Sequence, residues 1–292
     1  MGMSEEDALL AVERHATSKI VKFDDLLKLH TFGFRGEALP SIASVSRFLL
    51  RTRARGADEG VELRFNGGVV PEVRPCGAPA GTTIEIRDLF YNVPARRKFL
   101  KAATTEMNHI TEVVEGVALA FPQLTITLKR EGKVSHEWLR RANRADRARE
   151  SFGNEELAEL SGRVGDLSVL AMLGRPERAR STTSSLKIFV NGRQIRDRTL
   201  LRAVAQAYGS VMEPGRYPLG ALFIEMDPEL VDVNVHPQKA EVRFADGRAV
   251  ADAVQQILSA ELGRSFGLPG FAPAAAPAPT SAPGPARPLP GG

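Results

Sequence analysis

The sequence predicts an α+β protein in which strands and helices alternate along two successive regions. Short runs rich in β-branched and aromatic residues indicate strands, and longer segments with apolar residues every three or four positions indicate helices. The 292 residues suffice for two ordinary domains, and 43% apolar with 25% charged residues is typical of globular proteins. We therefore expect more than one packed core.

Each element follows from its local pattern. The strand pattern occurs at residues 47–53, 61–65, 82–87, 124–129, 167–173, 186–190, 219–225 and 231–235. Helical periodicity occurs at residues 4–15, 105–120, 199–208 and 246–262. Ser4 is placed to cap the first of these helices, with Asp7 three residues further on.

A polar segment divides the two regions. This segment has few apolar positions and is rich in arginine, which is typical of a mobile connector. Its arginines are Arg140, Arg141, Arg144, Arg147 and Arg149. We expect a first domain at 1–138, an arginine-rich connector at 139–164 and a second α/β domain at 165–264. Residues 265–292 are mostly Pro, Ala and Gly, with too little apolar bulk to offset the entropy of ordering, and they predict a disordered linker.

Composition and spacing exclude several classes of protein. A single cysteine, Cys76, cannot build a disulfide framework or a zinc site, which favours a reducing, cytoplasmic location. The sequence has no run of about 18 apolar residues, so it predicts no membrane span. Its acidic start is unlike a secretory signal. The histidines show neither metal-ligand spacing nor a Ser-His-Asp pattern. A net charge of +4 means that any contact with nucleic acid depends on local clusters.

Two segments suit phosphate binding. Gly33-Phe34-Arg35-Gly36 precedes a short apolar helix, and glycines allow backbone N–H groups to approach a phosphate closely. Upstream, Thr17-Ser18-Lys19 places two hydroxyls beside a lysine. Taken singly, the first is more typical of a turn and the second of an ordinary helix end.

Together, these segments resemble a known family. Residues 15–20, 33–39 and 81–100, in this order and at these separations, are similar to the N-terminal ATPase region of the MutL/HexB family of DNA mismatch repair proteins. The resemblance continues through residues 190–193 and 232–244. It implies a truncated ATPase α/β sandwich of the gyrase, histidine-kinase and chaperone type, followed by a ribosomal-protein-like βαβ domain.

The resemblance also implies a site for ATP. Lys239, from the second domain, corresponds to a lysine that reaches the terminal phosphate, and Thr82 corresponds to the threonine of a Gly-Thr motif beneath the nucleotide. The full set of implied contacts is Thr17, Ser18, Lys19, Gly33, Phe34, Arg35, Gly36, Glu37, Ala38, Leu39, Thr82 and Lys239.

In this superfamily the water-activating glutamate and the asparagine that binds Mg²⁺ precede the segments matched here. Gly2 resembles the last glycine of the Asp-x-Gly-x-Gly motif that binds adenine. The resemblance therefore implies ATP and Mg²⁺ as cofactors, with the Mg²⁺ ligand absent from this chain. The family is a weak ATPase. Because the resemblance implies that this chain lacks the glutamate and the asparagine, we expect the chain as written not to turn over ATP at a family-like rate.

The implied function is that of a mismatch repair mediator, an ATP-dependent clamp that binds DNA. Arg193, Arg196 and Arg198 resemble part of the family's DNA groove, although arginines in this pattern are also typical of a solvated face. The implied partners are DNA, a MutS-type mismatch recognition protein, a repair helicase or nuclease, and a second copy in an ATP-dependent homodimer, acting at the bacterial nucleoid. Two alternatives stay open: a non-catalytic DNA- or partner-binding fragment, and a type II topoisomerase ATPase subunit.

Overall fold

The computed structural model describes residues 2–14, 36–68, 71–153, 155–232 and 242–266. Two sheets organise this part of the chain, one with four strands and one with five, and two short two-stranded ribbons accompany them. The mixed α+β class predicted from the sequence is confirmed.

The four-stranded sheet is antiparallel throughout, in the order β3-β2-β1-β4. Two helices accompany it, and the elements are α1 (Glu5–Val12), α2 (Ala38–Ala43), β1 (Arg47–Arg53), β2 (Gly60–Asn66), β3 (Glu72–Cys76) and β4 (Gly81–Arg87). Ser4 begins α1 as predicted, because its Oγ accepts a hydrogen bond from the Asp7 N–H at 3.1 Å.

Period-two alternation gives this sheet one apolar face. In β1 the side chains of Phe48, Leu50 and Thr52 are buried while their neighbours are more exposed. The buried apolar members of the first core are Ala8, Val12, Ala43, Phe48, Leu50, Val61, Leu63 and Phe65. The core therefore lies between the sheet and helices α1 and α2.

Charged residues pair across the strands of the same sheet. Arg51 lies opposite Glu62 in the register of β1 and β2, and its Nε donates to the Glu62 carboxylate at 2.6 Å. Arg64 donates to the same carboxylate at 2.9 Å. Because the hydrogen bond from Arg51 favours its charged form, the pKa of Glu62 lies below its ordinary value.

The segment that leads to the second sheet is helical and then forms a hairpin. It comprises α3 (Pro94–Arg97), α4 (Ala103–Ala120), β5 (Ile126–Arg130) and β6 (Lys133–Trp138). The C-terminal residues of α4, including Leu119 and Ala120, pack on the second sheet.

The five-stranded sheet has the order β10-β9-β11-β8-β7. Its strands are β7 (Leu157–Val164), β8 (Leu167–Gly174), β9 (Leu186–Val190), β10 (Arg193–Ile195) and β11 (Gly220–Glu225). Strands β9 and β11 are parallel and are joined through α6 (Arg198–Ala207), which makes a βαβ unit. Helix α7 (Gly247–Phe266) and the ribbon of β12 (Val231–Asp232) and β13 (Arg243–Phe244) complete the described chain.

Both faces of this sheet are covered by helices. Alternate residues of the central strands face α6 and α7, as Ile188 and Leu222 do in the largest core. Their neighbours Phe189 and Phe223 belong to the core beneath α4 and α5 (Arg144–Phe152), where their rings stack at 4.9 Å. The second sheet is thus the middle of a three-layer α/β/α arrangement.

The expected mobile connector is folded. Residues 144–152 form α5, and residues 157–164 form β7, an edge strand of the second sheet. Arg147 is 0% exposed and donates to the carbonyl oxygens of Pro122 at 3.1 Å and Leu124 at 2.7 Å, while its other Nη pairs with Glu150. The apolar face of α5 consists of small alanines around this buried arginine, so the sequence shows no strong apolar period.

The sequence pattern does not predict strands β3, β6, β7, β10 and β13. β3 is mostly exposed and contains Pro75, and β6 is exposed except for Trp138. Of the predicted strand at 231–235, the structure describes β12, and residues 233–235 lie outside the described ranges. Helix α7 extends into the predicted linker as far as Phe266, and the rest of that segment is also outside them. No helix within the described ranges is both long enough and apolar enough to cross a membrane.

Candidate functional site

The residues expected to contact a nucleotide fall into two groups. Those outside the described residues are Thr17, Ser18, Lys19, Gly33, Phe34, Arg35 and Lys239. Gly36, Glu37, Ala38, Leu39 and Thr82 lie inside them. The structure can therefore place only the second group.

Gly36 to Leu39 form the entry to helix α2. Gly36 has φ of 60°, a left-handed conformation that glycine adopts without strain. Glu37 caps the helix, and its carbonyl oxygen accepts from the Ser41 N–H at 3.1 Å. Leu39 is partly buried and packs on the first core. Leu39 therefore anchors α2 to the first sheet. Glu37, by contrast, is exposed to solvent.

Thr82 lies in a group of residues that the fold brings together from three segments. The buried hydroxyl of Thr52 donates to the Gly81 carbonyl oxygen at 3.1 Å, accepts from the Met3 N–H at 2.8 Å and lies 2.9 Å from Thr82 Oγ1. Gly2 packs so closely that a Cβ there would come within 1.7 Å of the Arg53 carbonyl oxygen. The chain start and the Gly-Thr segment, both recognised in the sequence, are thus neighbours in space.

Sequence reasoning missed Thr52. Its position in β1 continues the inward alternation of Phe48 and Leu50, so a hydroxyl there must be buried. A buried hydroxyl needs a partner, and that requirement was the available signal for a positioning role. In the described part of the chain no three His, Cys, Asp or Glu side chains come together as metal ligands.

The three arginines expected to bind DNA are not equivalent. Arg193 in β10 is 8% exposed, and burial lowers the pKa of its guanidinium. Arg196 has 77% of its side chain exposed, and Arg198 is the exposed first residue of α6. Arg196 and Arg198 line one cleft of about 740 Å³, and Arg193 does not.

The cleft lies at the β10 edge of the second sheet. Helix α4 contributes Glu112, strand β9 contributes Lys187, and the hydroxyl residues Thr183, Ser184 and Thr199 also line it. Cations and hydroxyls converging on one cleft are groups that hydrogen-bond phosphate oxygens.

A tight turn and a helix cap position the two exposed arginines. Asn191 and Gly192 have φ of 48° and 76°, the paired left-handed residues that favour a two-residue hairpin between β9 and β10. Asn191 Oδ1 also accepts from the Met226 N–H at 3.0 Å. Asp197 then caps α6, because its Oδ1 accepts from the Leu200 N–H at 2.8 Å.

An acidic helix face balances the cations of the cleft. The Lys187 ammonium is 8% exposed and lies 3.3 Å from Glu112 and 3.7 Å from Glu115, both on α4. The same Glu112 oxygen lies 3.5 Å from Arg196 Nη2. Arg198 makes no ion pair with any residue in the described ranges and is the cation most open to an added anion.

Comparisons with known proteins agree with this architecture. A family model described as "DNA mismatch repair protein, C-terminal domain" matches residues 150–263, which include the second sheet, α6 and the cleft arginines. The DNA mismatch repair protein MutL of Anaeromyxobacter dehalogenans (strain 2CP-1 / ATCC BAA-258) is 47% identical over 256 residues, or 87% of this chain and 42% of that protein. MutL of Geotalea uraniireducens (strain Rf4) is 45% identical over 98% of this chain and 47% of its own length. The chain thus spans less than half the length of these curated relatives.

Solved structures extend the likeness to the fold. The Aquifex aeolicus MutL ATPase domain complexed with ADP has a TM-score of 0.56 and 30% identity, over 71% of this chain and 76% of that one. The N-terminal domain of a DNA repair protein has a TM-score of 0.72 at 22% identity, over 90% and 83% of the two chains, and shows the shared fold alone. These sequence and structural matches establish that the chain belongs to the MutL family of DNA mismatch repair proteins.

Proposed function

We propose that this chain is the nucleotide-dependent, DNA-binding part of a mismatch repair mediator. In this account nucleotide is bound by the first region, DNA is bound by the second, and the whole protein couples mismatch recognition to later repair steps. The observation that carries the proposal is the pair of exposed arginines, Arg196 and Arg198, on one polar cleft in a chain of this family.

The cleft suits a phosphate backbone. Arg196 and Arg198 can each offer forked N–H donors, and the start of α6 adds the positive end of its helix dipole. Such contacts neutralise phosphate charge without reading bases, so binding should fall with salt and vary little with sequence. Arg193, because it is buried, should support the edge strand more than it touches DNA.

For the nucleotide, the ADP bound to the related Aquifex domain supports a site in the first region. Thr82 fits such a site, since the residue is exposed and its hydroxyl contacts that of the buried Thr52. We expect the remaining contacts from Thr17 to Lys19, Gly33 to Leu39 and Lys239. Magnesium would neutralise phosphate charge there, and we assign it no ligand among the described residues.

Partners of the whole protein follow from its family. We expect a MutS-type mismatch recognition protein, a repair helicase or nuclease, and a second copy joined in the presence of ATP. Action on DNA at the nucleoid implies a cytoplasmic location.

A second candidate is a DNA-binding module that acts without turning over nucleotide. The positions of the hydrophobic cores favour this candidate. Two of the three cores among the described residues lie on the second sheet, and the cleft lies at the edge of that sheet. This candidate shares the DNA prediction and differs in expecting DNA affinity that ADP and ATP leave unchanged.

The experiment replaces both cleft arginines with glutamine and measures binding to two labelled 30-base-pair duplexes of unrelated sequence. We expect Arg196→Gln/Arg198→Gln to weaken binding to both duplexes by a similar factor, roughly tenfold. The matched control is Arg248→Gln/Arg264→Gln on α7, which removes the same charge at exposed positions away from the cleft. Equal binding by the two double variants would contradict the proposal.

A further inference from the structure

We propose that Glu112 competes with DNA phosphate for Arg196, so that helix α4 restrains the affinity of the cleft. This inference rests on the proposed DNA-binding function of the cleft. In this proposal Glu112, on helix α4, lowers the affinity of the cleft for DNA.

The geometry places one carboxylate oxygen between two cations. Glu112 Oε1 lies 3.3 Å from Lys187 Nζ and 3.5 Å from Arg196 Nη2. Glu112 also lines the cleft itself. A phosphate oxygen that bound Arg196 from the cleft would therefore meet a guanidinium that already has an anionic neighbour.

The two cations depend on Glu112 to different degrees. Lys187 is 8% exposed and has Glu115 as a second carboxylate at 3.7 Å, so it keeps an ion-pair partner when Glu112 is neutral. Arg196 has 77% of its side chain exposed, and Glu112 is its ion-pair partner among the described residues. An exposed ion pair is weak, so a phosphate can displace the carboxylate, but the displacement reduces the net gain from binding.

Helix α4 holds Glu112 at this position. Gly116, one turn further along, allows the Gln194 side chain of β10 to lie directly against the helix, since a Cβ there would come within 1.9 Å of Gln194 Oε1. Leu119 and Ala120 are buried on the second sheet. Because the helix is fixed beside β10, the Glu112 carboxylate stays within reach of Arg196.

The experiment is a double-mutant cycle on the full 292-residue chain, read as affinity for a labelled 30-base-pair duplex across a range of salt concentrations. We expect Glu112→Gln to bind about two- to fivefold more tightly at low salt, since phosphate then binds Arg196 without displacing a carboxylate. The slope of log K against log[salt] should change little, because Arg196 contacts a phosphate in both chains. In an Arg196→Gln background the same substitution should produce no gain.

Glu261→Gln is the control, because it removes one negative charge on α7, where Glu261 pairs with Arg264. If Glu112→Gln folds poorly, Glu112→Asp keeps the charge but shortens the reach, and it should show a smaller gain of the same sign. Equal affinity of the Glu112→Gln and Glu261→Gln chains, or a gain that persists without Arg196, would overturn the inference. Failure of the cleft itself would be seen separately, as unchanged binding by Arg196→Gln/Arg198→Gln.

Discussion

The hydroxyl oxygens of Thr52 and Thr82 lie 2.9 Å apart on neighbouring strands β1 and β4. Thr52 is 0% exposed and Thr82 is exposed, so the contact joins the interior of the first region to its surface. Through its bond from the Met3 N–H, Thr52 also holds the start of the chain against the same strand. The orientation of Thr82 is therefore fixed by a residue that cannot itself touch a ligand.

Replacing Thr52 with valine should destabilise the chain by about 1–2 kcal/mol, because it keeps the shape but removes the acceptor of the Met3 N–H. Urea unfolding followed by circular dichroism measures this change. Thr52→Ser retains the hydroxyl and should lose less than the valine variant. Equal losses in the two variants would show that the hydroxyl contributes nothing.

Arg147 should be the most sensitive arginine of helix α5. Arg147→Met leaves the Pro122 and Leu124 carbonyl oxygens without their donor, and we expect a loss of about 2–4 kcal/mol in the free energy of unfolding. Arg149→Met, at a half-exposed position on the same helix, should cost under about 0.5 kcal/mol. Chemical denaturation measures the loss in the free energy of unfolding for each variant. Small and equal losses in the two variants would contradict the prediction and indicate that this segment is mobile.

Glu62 should make part of the stability dependent on pH. Its hydrogen bond from Arg51 lowers its pKa in the folded chain, so its contribution is present above the ordinary glutamate pKa and is lost as the pH falls through the lowered value. The stability difference between wild type and Glu62→Gln should be largest near pH 7 and shrink towards acid. Denaturant titrations at several pH values measure it, with the exposed Glu229→Gln as control. A difference that does not change with pH would argue against the ion pair.

The smallest autonomous unit around the cleft should begin at α4. A fragment of residues 165–266 would lack β7, α4 and α5, and would expose Met172, Phe189 and Phe223 of the second sheet. A fragment of residues 103–266 keeps that face covered. We expect cooperative urea unfolding from the longer fragment and a broad, non-cooperative transition from the shorter one. Similar sharp transitions in both would show that α4 and α5 are dispensable.

The elements that the sequence predicts well have a strong apolar pattern. Strand β1 and helix α6 bury one regular face, and strand β9 is a continuous buried run. The expected bounds of all three are close to those observed. Helix α5 and strand β7 escape because tertiary contacts stabilise them, through the buried Arg147 and through pairing with β8. Local periodicity carries no information about such contacts.

In the candidate site, too, the sequence identified some residues and only the fold revealed others. The resemblance to the family pointed to Arg196, Arg198 and Thr82 from short segments of sequence. Glu112 and Thr52 act on those residues from distant parts of the chain, and only the folded backbone brings each pair together. The burial of Arg193 likewise depends on how the edge strand β10 packs.

The salt dependence of DNA binding tests the central claim most directly. Log K is measured against log[salt] for wild type, for Arg196→Gln/Arg198→Gln, and for the triple variant that adds Arg193→Gln. If the two exposed arginines contact phosphates, the double variant should lower the magnitude of the slope by about two units, and the third substitution should lower it little further. An unchanged slope in the double variant would contradict the account and place any DNA contact elsewhere on the protein.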